Sequence, residues 1–242
     1  FFFFTPPRKA MGQCESKPPP KKASSVPRPP PTFGRDPSLD PSDYILRSCS
    51  GLTVLKTDNQ KQQYVIEGAS GCSVYLFCAL AALTVDECDG CVVVSGPVES
   101  SAFVRDARDS TFVLACQQLR TRDCVNCRFV VYSMTEPIIE SSRGLSFGCY
   151  DLGYEGLGRD MEGAALSVWN NKWYDVYDFT PSPGTESKTS RNWSVDEGGG
   201  EDYLEKARAA DGADAIGLGG GRVVPRTRGK GEAAEGEGRA SH

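Results

Sequence analysis

Val85-Asp86-Glu87-Cys88-Asp89-Gly90-Cys91-Val92-Val93-Val94 and Thr121-Arg122-Asp123-Cys124-Val125-Asn126-Cys127-Arg128-Phe129-Val130 share one pattern. Each has two cysteines three apart, a polar corner of Asp, Gly or Asn, and then a run that favours strand. Between them lies a third copy, Val104-Arg105-Asp106-Ala107-Arg108-Asp109-Ser110-Thr111-Phe112-Val113, with Ala107 and Ser110 at the cysteine positions. A weaker copy, Ile66 to Val74, places Ala69 and Cys72 there. The steps from Ala69 to Cys88 to Ala107 to Cys124 are 19, 19 and 17 residues. That period is too short for a helical hairpin and suits one coil of a parallel β-helix with short strands and corners. A right-handed parallel β-helix over residues ~43–180 is therefore the expected fold, with small Cys, Ala and Ser stacked in inward ladders at the ~4.8 Å strand spacing.

The repeat also settles how the two CxxC pairs are read. Their spacing resembles a four-cysteine zinc site. The middle copy replaces both cysteines by Ala107 and Ser110, so the spacing belongs to the coil. The pairs would also lie two coils apart, about 10 Å. No metal site is expected.

Outward from the repeat, the composition changes. Nine of the 16 prolines fall between Pro18 and Pro41, and 12 of the 26 glycines fall after Val195. Three regions are expected: residues 1–35 as a disordered leader and Pro-rich spacer, 36–184 as the β-helix domain, and 185–242 as a low-complexity disordered tail. The aromatic stretch Gly148 to Phe179, with a short helix near Met161–Leu166, should cap the solenoid, which cannot leave its last coil open. Within the leader, Met11-Gly12-Gln13-Cys14-Glu15-Ser16-Lys17 fits the N-myristoylation pattern if Met11 is the true start. Cys14 is then a palmitoylation candidate, and Lys17, Lys21 and Lys22 offer charge to an anionic membrane. The expected location is the cytoplasmic face of the plasma or ciliary membrane, and otherwise the cytoplasm.

Charge and histidine content narrow the chemistry. A net charge of −5 argues against a general nucleic-acid partner. The only histidine is His242, which removes hydrolysis or metal catalysis that needs an imidazole inside the fold. Ten cysteines without a secretory signal suggest buried free thiols in a reducing compartment. Gln117-Gln118-Leu119-Arg120-Thr121-Arg122 follows the strand Phe112 to Ala115, and Arg120 should point outward. Glu140 lies 20 residues on and is expected to stack beside it. A guanidinium fixed by a carboxylate one rung away could serve chemistry, or it could be an ordinary surface ion pair.

Residues ~40–181 resemble the tubulin-binding cofactor C domain family. The resemblance rests on Gly96-Pro97-Val98, Ala115-Cys116-Gln117-Gln118-Leu119-Arg120-Thr121-Arg122-Asp123-Cys124, Pro137-Ile138-Ile139-Glu140-Ser141-Ser142, Phe147-Gly148-Cys149, Asn170-Asn171-Lys172-Trp173 and Asp178-Phe179-Thr180-Pro181. It implies activation of an Arf-like small GTPase in its GTP form, with Arg120 as an arginine finger supplied in trans. By the same resemblance Gln117, Gln118 and Glu140 assist the finger, and Ser100, Ser101 and Leu119 belong to the GTPase-binding surface. No cofactor of its own is implied, since GTP and magnesium come with the partner. Tubulin is a further partner class, in a folding role, and a non-catalytic GTPase-binding adaptor is a third reading. Leu119 departs from the family pattern, which usually has an aromatic before the arginine. No second domain resembling nucleoside diphosphate kinase, present in some members, is recognisable.

Overall fold

In the computed structural model, residues 38–59, 61–196, 198, 201–211 and 222–225 are described. The lipidation candidates Gly12 and Cys14 lie outside them. The chain forms a parallel β-helix. After a 3-10 turn at Pro41–Asp43 the strands run β1 Ile45–Ser50, β2 Leu52–Lys56, β3 Tyr64–Ser70, β4 Ser73–Leu76, β5 Leu83–Asp89, β6 Val92–Arg105 and β7 Thr111–Arg122. They continue with β8 Arg128–Ser133, β9 Ile138–Glu140, β10 Leu145–Cys149, α1 Leu157–Gly163, β11 Tyr177–Asp178, β12 Trp193–Val195, α2 Tyr203–Asp211 and β13 Arg222–Pro225. One face stacks β1, β3, β5, the second half of β6, the second half of β7, β9 and β11, all parallel. Another stacks β2, β4, the first halves of β6 and β7, then β8, β10 and β12. Antiparallel to β2 lies β13.

The expected ladder is present and one rung longer at each end. Cys49 pairs with Ala69 and Ala69 with Cys88, while the bridges Asp89–Arg108, Arg108–Val125 and Val125–Arg143 carry the row through Ala107 and Cys124 to Ser142. The corner chemistry explains the repeat. Residues 48, 68, 87, 106, 123 and 141, immediately before the rungs, all have positive φ, as do 51, 71, 90, 109, 126 and 144 three positions later. Left-handed backbone strains most side chains but suits Gly, Asn and Asp, which fill nine of these twelve positions. Cys88 and Cys124 sit two rungs apart with Ala107 between them, so the CxxC spacing is a corner property.

Inside, apolar side chains form stacked columns. Val74, Val93, Phe112, Phe129 and Phe147 are successive register partners, and all are at most 1% exposed. The three phenylalanines stack at ring-centroid distances of 5.0 and 5.2 Å, and Trp193 closes the column edge-on to Phe147 at 6.0 Å. A second apolar layer lies outside the β2–β10 face. There Leu55, Tyr75, Val94, Val113 and Val130 are covered by Leu152, Tyr203 and Ala207. Met161, Ala164 and Leu166 cover Ala115 and Tyr132 beside it.

Two expectations need correction. The cap helix is Leu157–Gly163, earlier than the expected Met161–Leu166: Gly156 (φ 94) opens it and Ala165 (φ 54) ends it. Ordered chain also continues past residue 184. Trp193 pairs with Leu145 and buries its ring against the core, and Arg128 binds Asp196 at 2.5 Å and the Tyr203 hydroxyl at 3.0 Å. The composition after Val195 hid two anchors, Asp196 and Tyr203, that suffice to dock the chain.

Candidate functional site

Through its last four residues β7 alternates strictly: Leu119 and Thr121 point inward while Arg120 and Arg122 point outward. Arg120 is exposed on the β3–β9 face. Its register partners are Phe103 on one side and Ile138 on the other, and Tyr177 follows Ile138 in the same row. Phe179, 58% exposed, packs edge-on against Tyr177 at 5.1 Å. The guanidinium therefore rises from a rigid sheet between apolar neighbours. Such surroundings are common at protein interfaces, where Arg and aromatic side chains are enriched.

The next outward row is a ladder of charges: Arg47, Glu67, Asp86, Arg105, Arg122 and Glu140. Arg47 binds Glu67 at 2.8 Å, and Arg105 clasps Asp86 with two bonds of 2.6 Å. Glu140 stands beside Arg122, not beside Arg120. The coil here is 18 residues long, since Arg120 faces Ile138, so an assumed 20-residue step lands two positions too far. Among the described residues no carboxylate lies within 4.0 Å of the Arg120 guanidinium, whereas Arg122 reaches Asp123 at 3.2 Å. Glu140 remains a diagonal neighbour on the same face, about 8 Å away along the Cα positions.

The remaining site residues divide. Gln118 pairs in register with Ser101, whose hydroxyl lies 3.5 Å from the amide oxygen. Both are half-buried on the outer face, one position back from Arg120 and Phe103. Gln117 is half-buried, and its carbonyl accepts from the Thr135 amide at 3.0 Å. Ser100 is exposed and donates its hydroxyl to the Ala81 carbonyl at 2.6 Å. Leu119 is corrected: it is 0% exposed within the core and offers no binding surface. Sequence reading missed Phe103, Ile138, Tyr177 and Phe179 as neighbours of Arg120. One coil length subtracted from 120 would have found Phe103.

Residues 61–179 match the family model described as Tubulin binding cofactor C. This stretch belongs to the tubulin binding cofactor C family. The chain is similar to Protein XRP2 of Xenopus laevis, 37% identical over 196 residues covering 76% of this chain and 54% of that protein. It is also similar to Protein XRP2 of Danio rerio, at 36% over 65% of this chain and 41% of that protein. Tubulin-specific chaperone C of Bos taurus is 30% identical over 56% of this chain and 39% of its own. The chain thus spans about half the length of the curated relatives it matches.

Several quoted motifs are structural in the cofactor C domain. Asp178 is wholly buried and accepts from the Thr180 amide at 2.8 Å, the Ser190 hydroxyl at 2.6 Å and the Asn192 amide at 2.8 Å. Asn171 accepts from the amides of Ser133 and Trp173, both at 3.1 Å. At Gly96 a side chain would meet the Tyr154 hydroxyl and come within 2.6 Å of the Cys78 carbonyl oxygen. These residues hold the edge and the cap that keep the Arg120 face rigid. Seven of the nine described cysteines are buried, and burial pushes the thiols of Cys78, Cys116 and Cys124 up to about 12. Those three therefore serve packing, not nucleophilic chemistry.

Proposed function

We propose that the domain accelerates GTP hydrolysis by an Arf-like small GTPase, with Arg120 inserted as an arginine finger. The observation that carries this reading is that Arg120 is exposed on a central strand, with Phe103 and Ile138 as its register partners and no carboxylate within 4.0 Å of its guanidinium among the described residues. A finger must be free of competing ion pairs in the resting protein, because it exchanges water for the charge developing on the transferred phosphoryl group. That exchange contributes roughly 10³–10⁵ in rate. Gln118 and Ser101 stand one step back on the same face and can hydrogen-bond the partner or its nucleotide. Gln117, Ser100 and, diagonally, Glu140 complete the rim. GTP and magnesium arrive with the partner.

Single-turnover GTP hydrolysis by Arf-like GTPases tests the reading. Arg120→Ala should lose about 10³-fold of the stimulation or more, and Arg120→Lys nearly as much, since a point charge lacks the planar fork. Absence of any acceleration by the wild type would leave the adaptor reading. Similarity to tubulin-specific chaperone C favours a second reading, in which the partner is tubulin; the same assay with assembly-competent tubulin decides between them. We further propose anchoring at the cytoplasmic face of the plasma or ciliary membrane, where such a protein would act in membrane traffic. It would use Gly12 myristoylation with Cys14 palmitoylation as a second signal, because one acyl chain alone holds weakly. Gly12→Ala should release the protein from membranes; persistent membrane association would refute acylation through Gly12.

A further inference from the structure

On the other covered side of the solenoid, away from the Arg120 row, the outer layer is incomplete. A cavity of about 780 Å³ opens between the end of β10, α1 and the segment after α1. Its wall is mostly apolar: Tyr132, Tyr150, Leu152, Leu157, Met161 and Leu166 line it. Val168 and Trp169 stand on its rim at 70% and 92% exposed, among the most exposed large apolar side chains described. Isolated exposed apolar residues are ordinary, but an apolar hollow with a bare tryptophan at its mouth marks an interaction surface. A small ligand would be mostly enclosed by its site, and a tryptophan 92% exposed encloses nothing.

Charge says what kind of partner fits. Asp151, Glu155 and Glu162 are exposed on the segments bounding the cavity, and Asp160 adds a fourth carboxylate bonded to the Tyr154 hydroxyl at 2.7 Å; against them stand Arg159, Lys172 just past the lining Asn171, and Lys61, whose ammonium lies beside Gly163 and pairs with Glu99 at 3.3 Å. Their field reaches the wall. Burial is the first cause that raises the Cys149 thiol and the Tyr150 phenol, and the negative charge of Asp151 adds to both. We infer that this groove is a docking surface for a basic amphipathic helix of a partner protein. Its apolar side chains would fill the hollow and its Lys or Arg side chains would meet Glu162 and Asp151. A helix supplies that geometry, with apolar anchors at i, i+3 or i+4, and i+7 beside a charged flank. This surface is independent of the finger reading and would survive its failure.

Cys149 provides a local probe, since its exposed thiol lines the cavity. The full chain is alkylated with iodoacetamide, and the rate at Cys149 is followed by peptide mass spectrometry. The competitors are a Leu/Lys helix of about four turns and a Leu/Glu helix with the same apolar face. The lysine helix should slow Cys149 alkylation about tenfold, and the glutamate helix should leave it unchanged at equal concentration. Glu162→Lys and Trp169→Ala, both at exposed positions, should each weaken the protection about tenfold. Equal protection by both helices, or by neither, overturns the proposal. So does protection by anionic phospholipid vesicles but not by the lysine helix, which would make the groove a membrane site. Protection in the free chain would also overturn it: if independent of concentration it means a segment of this chain fills the groove, and if it grows with concentration, a second copy.

Discussion

Asp178 shows what a single side chain can hold. It is a fully buried carboxylate with four donors converging on it, and it ties the β11 edge to the segment around Asn192. Asp178→Ala would take the shared acceptor from these donors and should lower stability by about 2–5 kcal/mol, read from urea midpoints. Asp178→Asn should cost less but still more than 1 kcal/mol, roughly, because its amide NH₂ faces other donors. Gly96→Ala forces backbone away from the Cys78 carbonyl and should destabilise as strongly as a core overpacking change, about 1–3 kcal/mol. At this scale the sequence revealed Arg120 well, since alternation along β7 alone turns it outward. It misled on Glu140, because a coil's length is set by its corners and one coil of 18 among coils of 17 to 20 moves every pairing beyond it. In the sequence Asp178 is only part of a family motif, and its burial identifies it as a brace.

Among the elements, the columns carry the stability. Phe129 has an aromatic ring above and below it, so Phe129→Ala should cost about 3–5 kcal/mol in equilibrium unfolding. Cys88→Ala should cost only about 1 kcal/mol, for one small group removed. Ala69 and Ala107 already occupy the rungs on either side of it, so the ladder accepts alanine there. The coil was legible because the corner demands left-handed residues at two fixed places, and Gly, Asp and Asn announce them. The covering layer was not, because α1, α2 and β12 have no period and declare themselves only by what they touch. Tyr203 is an example: its composition is that of a low-complexity tail, yet it is 2% exposed against Val113 and Val130.

For the molecule as a whole, thiol chemistry should be sharply partitioned. Native protein should react quickly with a thiol reagent at Cys149, slowly at half-buried Cys49, and not measurably at the seven buried cysteines until it unfolds. Burial holds the Cys49 thiol up at about 12, and the Cys149 thiol is also raised, so both rates should climb with pH more steeply above pH 8, approximately, than that of free cysteine. Equal reactivity of Cys124 in the native state would contradict the inward ladder. The stacking of coils has one mechanical consequence. Chain leaving through Ser38 joins the fold at β1, whose only strand neighbour among the described residues is β3. A pull from the amino terminus is therefore borne by the first coil, and each coil peels only after the one before it. Arg120 lies in the fifth, so tension applied through Ser38 would fray the solenoid from β1 inward while the surface that carries the arginine kept its shape.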